Sequence, residues 1–190
     1  EYVESVWWSL KQIWDKDLLY EGHRVVPYCP RCGTALSSHE VASGYKDVED
    51  PSVYVKLKVS GEDNTYLLVW TTTPWTLPGN VAVAVGPAIS YARVEHEGET
   101  LILARDLIER VLGEDAAQPT ETIPGESLTR LTYDGPVFAL TDRADERCPI
   151  VTGDFVTTDD GTGLVHIAPA FGEDDYAVAA AAGIFDPTRQ

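Results

Sequence analysis

The feature that most constrains the fold is the run WTTTPWTLPGN at 70–80, caught between two strand-like segments. Residues 65–70 are β-branched, aromatic or leucine, and residues 81–85 alternate valine and alanine, so both flanks read as buried strands. Between them, Pro74 and Pro78 fix φ and remove two backbone donors. Thr71, Thr72, Thr73 and Thr76 add hydroxyls that both donate and accept. The spacing predicts a stiff polar wall held at both ends by sheet, although threonines are also ordinary strand formers.

The neighbouring patterns extend the sheet. Residues 53–61 and the segment from Thr65 alternate around a polar Gly-Glu-Asp-Asn turn and predict a hairpin. Residues 91–95 and 100–103 form a second pair around Glu97 and Gly98, and 106–112 read as a short helix stopped by Gly113. A polar loop is expected over 114–122, and further strands over 137–140, 150–156 and 164–167. The turn at 157–163 holds Gly161 and Gly163, which permit positive φ or a close approach. Cys148 has no partner in sequence and reads as a buried, inert thiol.

The 190 residues contain 14 basic and 31 acidic side chains, a formal charge of −17. That balance opposes broad contact with a phosphate backbone, so a nucleic-acid partner is expected to be held mostly elsewhere in a longer protein. The chain contains no methionine, and we read it as a segment of such a protein. No apolar run reaches the ~20 residues a membrane helix needs, and the expected location is the cytoplasm.

Residues 1–50 form an expected connecting segment and 51–190 the functional core. Over 3–19, Val3, Val6, Trp7, Leu10, Ile13, Trp14 and Leu18 recur at helical spacing. They predict an amphipathic helix ended by Gly22, with Trp7 and Trp14 in core packing and Trp8 against other structure. Cys29-Pro30-Arg31-Cys32 followed by Gly33 has the shape of a zinc knuckle. Zinc takes four ligands, and His23, His39 and Cys148 are not at knuckle spacing, so Cys29 and Cys32 make half a site.

At the other end, His166 leaves a strand, Pro169 turns the chain, and an alanine-rich helix is expected over 173–182 with Glu173, Asp174 and Asp175 in its first turn. Dipole complementarity accounts for acids there. A second reading sets a strand-end His166 and a helix-start Asp175 across a cleft from the threonine run.

WTTTPWTLPGN at 70–80 together with GTGLVHIAPAFGEDDY at 161–176 resembles the paired signature of the editing domain of isoleucyl-tRNA synthetases, and PYCPRCGT at 27–34 resembles that family's first zinc knuckle. Thr73 stands where the valyl and leucyl families place arginine. The resemblance implies a β-rich α+β fold with a closed or nearly closed barrel and flanking helices. It implies hydrolysis of valine misattached to isoleucine tRNA, or of valyl-adenylate, in a pocket too small for isoleucine. A synthetic pocket rejects a substrate lacking one methylene by only about 10- to 200-fold, so a second sieve multiplies the discrimination.

By the same resemblance Asp175 binds the substrate α-ammonium, Thr72 and Thr73 stand at the scissile ester, and Thr71, Trp75, Thr76, Asn80 and His166 contact substrate. No cofactor is implied for the hydrolysis. Zinc belongs to the longer parent protein, whose further cysteines would complete the Cys29 and Cys32 site. The implied partners are the 3′ end of the aminoacylated tRNA, valine, valyl-adenylate and the remainder of the synthetase, with no membrane. Neither a His-x-Gly-His nor a Lys-Met-Ser-Lys motif is present, so amino-acid activation is not expected of this chain. A binding or structural module organised by the knuckle is the alternative from a different class.

Overall fold

A computed structural model describes residues 1–136 and 147–185. The expected strand at 137–140 lies outside the described residues. The chain opens with helix α1 (Tyr2–Trp14), a two-strand ribbon β1 (Tyr28–Cys29) and β2 (Thr34–Ala35), and helix α2 (Ser38–Ser43). Strands β3 (Val53–Lys58) and β4 (Thr65–Thr71) follow, then a 3-10 helix at Pro74–Gly79 and β5 (Ala82–Val85). The hairpin of β6 (Ser90–His96) and β7 (Glu99–Ala104) leads through a 3-10 turn to α3 (Ile108–Leu112). Next come β8 (Glu121–Pro124), α4 (Gly125–Leu128), β9 (Thr132–Asp134), β10 (Arg147–Thr152), β11 (Leu164–Ile167) and α5 (Glu173–Ala181).

Besides the β1-β2 ribbon, the described strands form two larger sheets, ordered β3-β4-β7-β6-β8 and β11-β5-β10-β9. The α+β, β-rich expectation holds, but among the described residues the strands do not close into a barrel. Their strands meet at one corner, where Val59 bridges Tyr133 and the Ser60 amide donates to the Thr132 carbonyl at 2.9 Å. A three-residue edge strand such as β9 offers too few ladder groups to carry closure further.

Pleating divides β5 between two cores. Val83 and Val85 point into the main core with Leu67, Val69, Leu103, Tyr133 and Leu164, whereas Ala82 and Ala84 face a smaller one with Ile167 and Ala179. Those alanines are small because α5 packs on them. Tyr91 ties the layers together: its buried hydroxyl accepts from the Gly86 amide at 2.8 Å and donates to the Gly163 carbonyl at 2.6 Å. Cys148 is buried, as its sequence context suggests.

Helix α1 differs from expectation in two respects. It ends at Trp14, because Asp17 adopts φ 54° and the Leu18 amide reaches back to the Ile13 carbonyl while that of Asp17 reaches Trp14. It buries no residue, and Trp7 and Trp14 are 67% and 63% exposed. Core packing of these tryptophans is therefore overturned. The periodicity sets the apolar face correctly, but no element among the described residues covers it.

Candidate active site

Strand β4 delivers Thr71 to the sheet edge, and Pro74 starts the 3-10 helix that turns the chain back. The threonines knit this turn internally. The Thr71 hydroxyl accepts from the Thr73 amide at 3.1 Å and lies 3.3 Å from the Thr73 hydroxyl. The Thr76 hydroxyl donates to the Thr73 carbonyl at 2.8 Å and sits 2.9 Å from His166 Nε2. Thr76 has one hydrogen, so with that hydrogen on Thr73 the imidazole must donate through Nε2 and keep Nδ1 as a bare acceptor. His166 Nδ1 is buried with no hydrogen-bond partner among the described residues.

His166 is 7% exposed because β11 pairs it with Val83 of β5, on the face it shares with Leu164. Burial, only partly offset by the nearby Asp175 charge, holds its pKa below the usual 6.5. The neutral form of the ring is thus favoured.

Asp175 enters from the first turn of α5, whose N-cap is Gly172. Its Oδ1 accepts from the Ala168 amide at 2.7 Å, which fixes the carboxylate against the chain leaving β11. A Cβ on Gly172 would lie 2.3 Å from Asp175 Oδ2. Gly172 has an extended φ of −149°, so the close approach of the carboxylate, and not backbone conformation, is what calls for glycine there.

These parts enclose a cleft of about 410 Å³ lined by Trp70, Thr71, Thr72, Thr73, Trp75, Thr76, Val165, His166, Ala168, Phe171 and Asp175. One carboxylate, several hydroxyls, a neutral imidazole and exposed aromatic faces converge, with no lysine or arginine in the lining. Such a lining suits a ligand that carries an ammonium and an uncharged polar group.

Of the sequence-predicted residues, Thr71, Thr72, Thr73, Trp75, Thr76, His166 and Asp175 meet here. Asn80 does not line the cleft. It is buried, its Nδ2 donates to the Ala82 carbonyl at 2.9 Å, and its Oδ1 accepts from the Tyr133 hydroxyl. Asn80 anchors the end of the threonine turn to the core. Trp70, Val165, Ala168 and Phe171 are lining residues not singled out individually, though all four lie inside the two quoted signatures. Close packing also explains the turn before β11: a Cβ on Gly161 would lie 2.8 Å from the Trp70 ring, and Gly161 has φ 72°.

Cys29 and Cys32 stand apart on the ribbon of β1 and β2. Gly33 takes φ 69° and its amide donates to the Cys29 carbonyl at 2.8 Å, and the Cys32 amide points at Cys29 Sγ at 3.4 Å. That amide, with the Cys32 thiol, lowers the Cys29 pKa, while Cys29 raises that of Cys32. The turn has knuckle geometry. Among the described residues no group of three or more His, Cys, Asp or Glu could hold a metal ion, and Cys29 and Cys32 offer two of the four donors that zinc takes.

Comparisons with known proteins give the same grouping. A family model described as tRNA synthetases class I (I, L, M and V) matches residues 1–182. A protein named isoleucine–tRNA ligase from Clostridium acetobutylicum is 57% identical over 175 residues, covering 92% of this chain and 17% of that protein. Those of the same name from Thermus thermophilus and Thermobifida fusca are each 50% identical, covering 96% and 100% of this chain and 18% of their own lengths. The chain therefore spans under a fifth of these relatives.

Among solved structures, GlLeuRS-CP1 aligns with TM-score 0.58 at 19% identity, over 73% of this chain and 69% of that one. The P. knowlesi cytosolic leucyl-tRNA synthetase editing domain aligns with TM-score 0.54 at 13% identity, over 70% and 63%. At such identities the likeness is one of fold. No helix among the described residues is long and apolar enough to cross a membrane.

Proposed function

The chain belongs to the class I tRNA synthetases (I, L, M and V), and from that premise we propose that its cleft is a proofreading site that hydrolyses valine from misacylated isoleucine tRNA or from valyl-adenylate. The observation that carries this reading is the Asp175 carboxylate. One oxygen is fixed by the Ala168 amide, and the group faces a wall of hydroxyls in a cleft whose described lining holds no lysine or arginine. A substrate entering by its α-ammonium finds one counter-ion, and its carbonyl is then held near Thr72 and Thr73. The side chain is directed toward Thr76 and His166, whose 2.9 Å contact stiffens the end of the pocket.

An aminoacyl ester is already labile, so a positioned water and donors for the developing oxyanion suffice, with no covalent nucleophile and no cofactor. Water attacks the carbonyl carbon, and the acyl C–O bond breaks: from the tRNA ester the ribose hydroxyl leaves with a proton, and from the adenylate AMP leaves through its phosphate oxygen. Neutral His166 keeps the pocket free of a second positive charge that would repel the ammonium. Thr71, whose hydroxyl accepts the Thr73 amide, serves as a positioning residue for Thr73. Zinc would be held by Cys29 and Cys32 together with ligands from the rest of the parent protein, and would serve there as a structural ion.

In the full-length protein, Asp175→Ala should lower deacylation of valyl-tRNA at least about 100-fold while leaving isoleucine activation intact. Unchanged deacylation removes Asp175 from the site. A protein that neither binds a valyl-adenosine analogue nor deacylates mischarged tRNA supports a purely structural module.

A further inference from the structure

The threonine turn is held differently at its two ends. At its start, Thr71 and Thr73 are stitched to each other by their own side chains. Its far end is a short 3-10 helix, a form with poorly aligned hydrogen bonds, in which Pro78 withholds a backbone donor. That end closes on Asn80, whose backbone amide donates to the Leu77 carbonyl at 3.0 Å. The Asn80 side chain is bonded in turn to the Ala82 carbonyl through Nδ2 and to the Tyr133 hydroxyl through Oδ1. Tyr133 lies 53 residues further along the chain, outside both quoted signatures, and is fully buried.

Resting on the hydrolase reading above, we propose that Tyr133 is a positioning residue that sets the upper size limit of the side-chain pocket, acting through Asn80 on Thr76. The backbone of Tyr133 is itself clamped. It pairs with Cys148 of β10 and bridges Val59, and the Ser60 hydroxyl donates to the neighbouring Asp134 carboxylate at 2.7 Å. The phenol therefore reaches from the corner where the two sheets meet and brings a fixed donor to the far end of the turn. An Asn80 amide bonded through both Nδ2 and Oδ1 resists rotation, and this steadies the backbone that caps Leu77. Thr76 is the residue before Leu77, and its hydroxyl lies 2.9 Å from His166 Nε2. These two side chains form the end of the pocket, so a shift of the turn changes its depth. A pocket that must reject one extra methylene tolerates little slack there. Filling the core at position 133 needs only an aromatic ring, and the hydroxyl adds the hold on Asn80.

The test uses the full-length protein and two substrates, valyl-tRNA and isoleucyl-tRNA. Tyr133→Phe removes one oxygen and keeps the ring. It should raise the ratio of kcat/KM for deacylation of isoleucyl-tRNA to that for valyl-tRNA about tenfold, because the longer side chain is now admitted. Asn80→Ala cuts the same link from the other side, should shift the ratio in the same direction, and covers the case in which Tyr133→Phe does not fold. The double variant should shift it no further than the larger single change, since both act on one link. An unchanged ratio in a folded variant overturns the proposal, even where both rates fall or the protein unfolds earlier, because Tyr133 would then only pack. A double variant whose shift is the product of the two single shifts also overturns it, because the two residues would then act independently. Either result leaves the hydrolase reading in place. A wild-type protein that deacylates neither substrate overturns the hydrolase reading and the role of Tyr133 together.

Discussion

The first 50 residues and the sheet core use apolar side chains to opposite effect. No residue before position 51 is buried, although α1 carries Val6, Trp7, Leu10, Ile13 and Trp14 on one side. In the core, β4 through β7 bury nearly every inward side chain, with Leu67, Val69, Val83, Tyr91 and Leu103 at zero exposure. A hydrophobic period fixes an element and its face in both regions, but burial also requires a facing surface. The core strands supply it to one another within a few dozen residues of sequence, and α1 finds none among the described residues.

Truncations on the two sides break or sharpen this contrast. Leu103→Ala in the core should cost about 2–5 kcal/mol, read as a lower midpoint in thermal or urea unfolding. Tyr91→Phe should cost about 1–3 kcal/mol, because the Gly86 amide and Gly163 carbonyl lose their buried partner. The Tyr91 phenol is itself pushed up to about 12 by burial. The folded chain therefore holds that proton longer than the unfolded one, whose tyrosines ionise near 10. Stability should be level up to about pH 9 and fall from pH 10 toward 12, and Tyr91→Phe should remove part of that slope.

A smaller effect is expected at His166. Burial lowers its pKa, so the unfolded chain takes up a proton first as pH falls below 6.5, and stability should decline there. An NMR titration should find the His166 midpoint below 6.5, and a midpoint above that value contradicts the neutral ring. Least of all, Trp7→Ala or Trp14→Ala in this chain should change stability by less than about 0.5 kcal/mol. A cost near that of Leu103→Ala would mean that α1 is buried after all.

The same contrast explains what the sequence reveals. Strands β3 to β7 and β11 are legible because their period of two carries β-branched and aromatic residues, and α5 because alanines follow a cluster of helix-start acids. The β8 strand, Glu121–Pro124, begins inside the apparently polar loop: it is an edge strand paired with β6, and only Ile123 is even partly buried, so no apolar alternation marks it. At three residues, β9 is too short to show a period, and the α1 stop depends on Asp17 taking a left-handed conformation that composition does not signal.

The candidate site was legible in its polar parts. Threonines, His166 and Asp175 stand out in sequence, and the structure brings them into one cleft. Asn80 belongs to the same run, but its amide lies in the core with Ala82 and Tyr133, a difference of side-chain direction that residue type does not signal. Gly172 escaped notice because its importance lies in the space it leaves beside Asp175, not in any group it carries.

The most direct measurement of the central claim is a structure of this chain with a non-hydrolysable valyl-adenosine analogue. The account predicts the α-ammonium within about 3 Å of the Asp175 carboxylate, the valyl side chain against Thr76 and His166, and the ribose directed toward Phe171. An analogue seated away from this cleft, or bound in it with its ammonium turned from Asp175, would contradict the account.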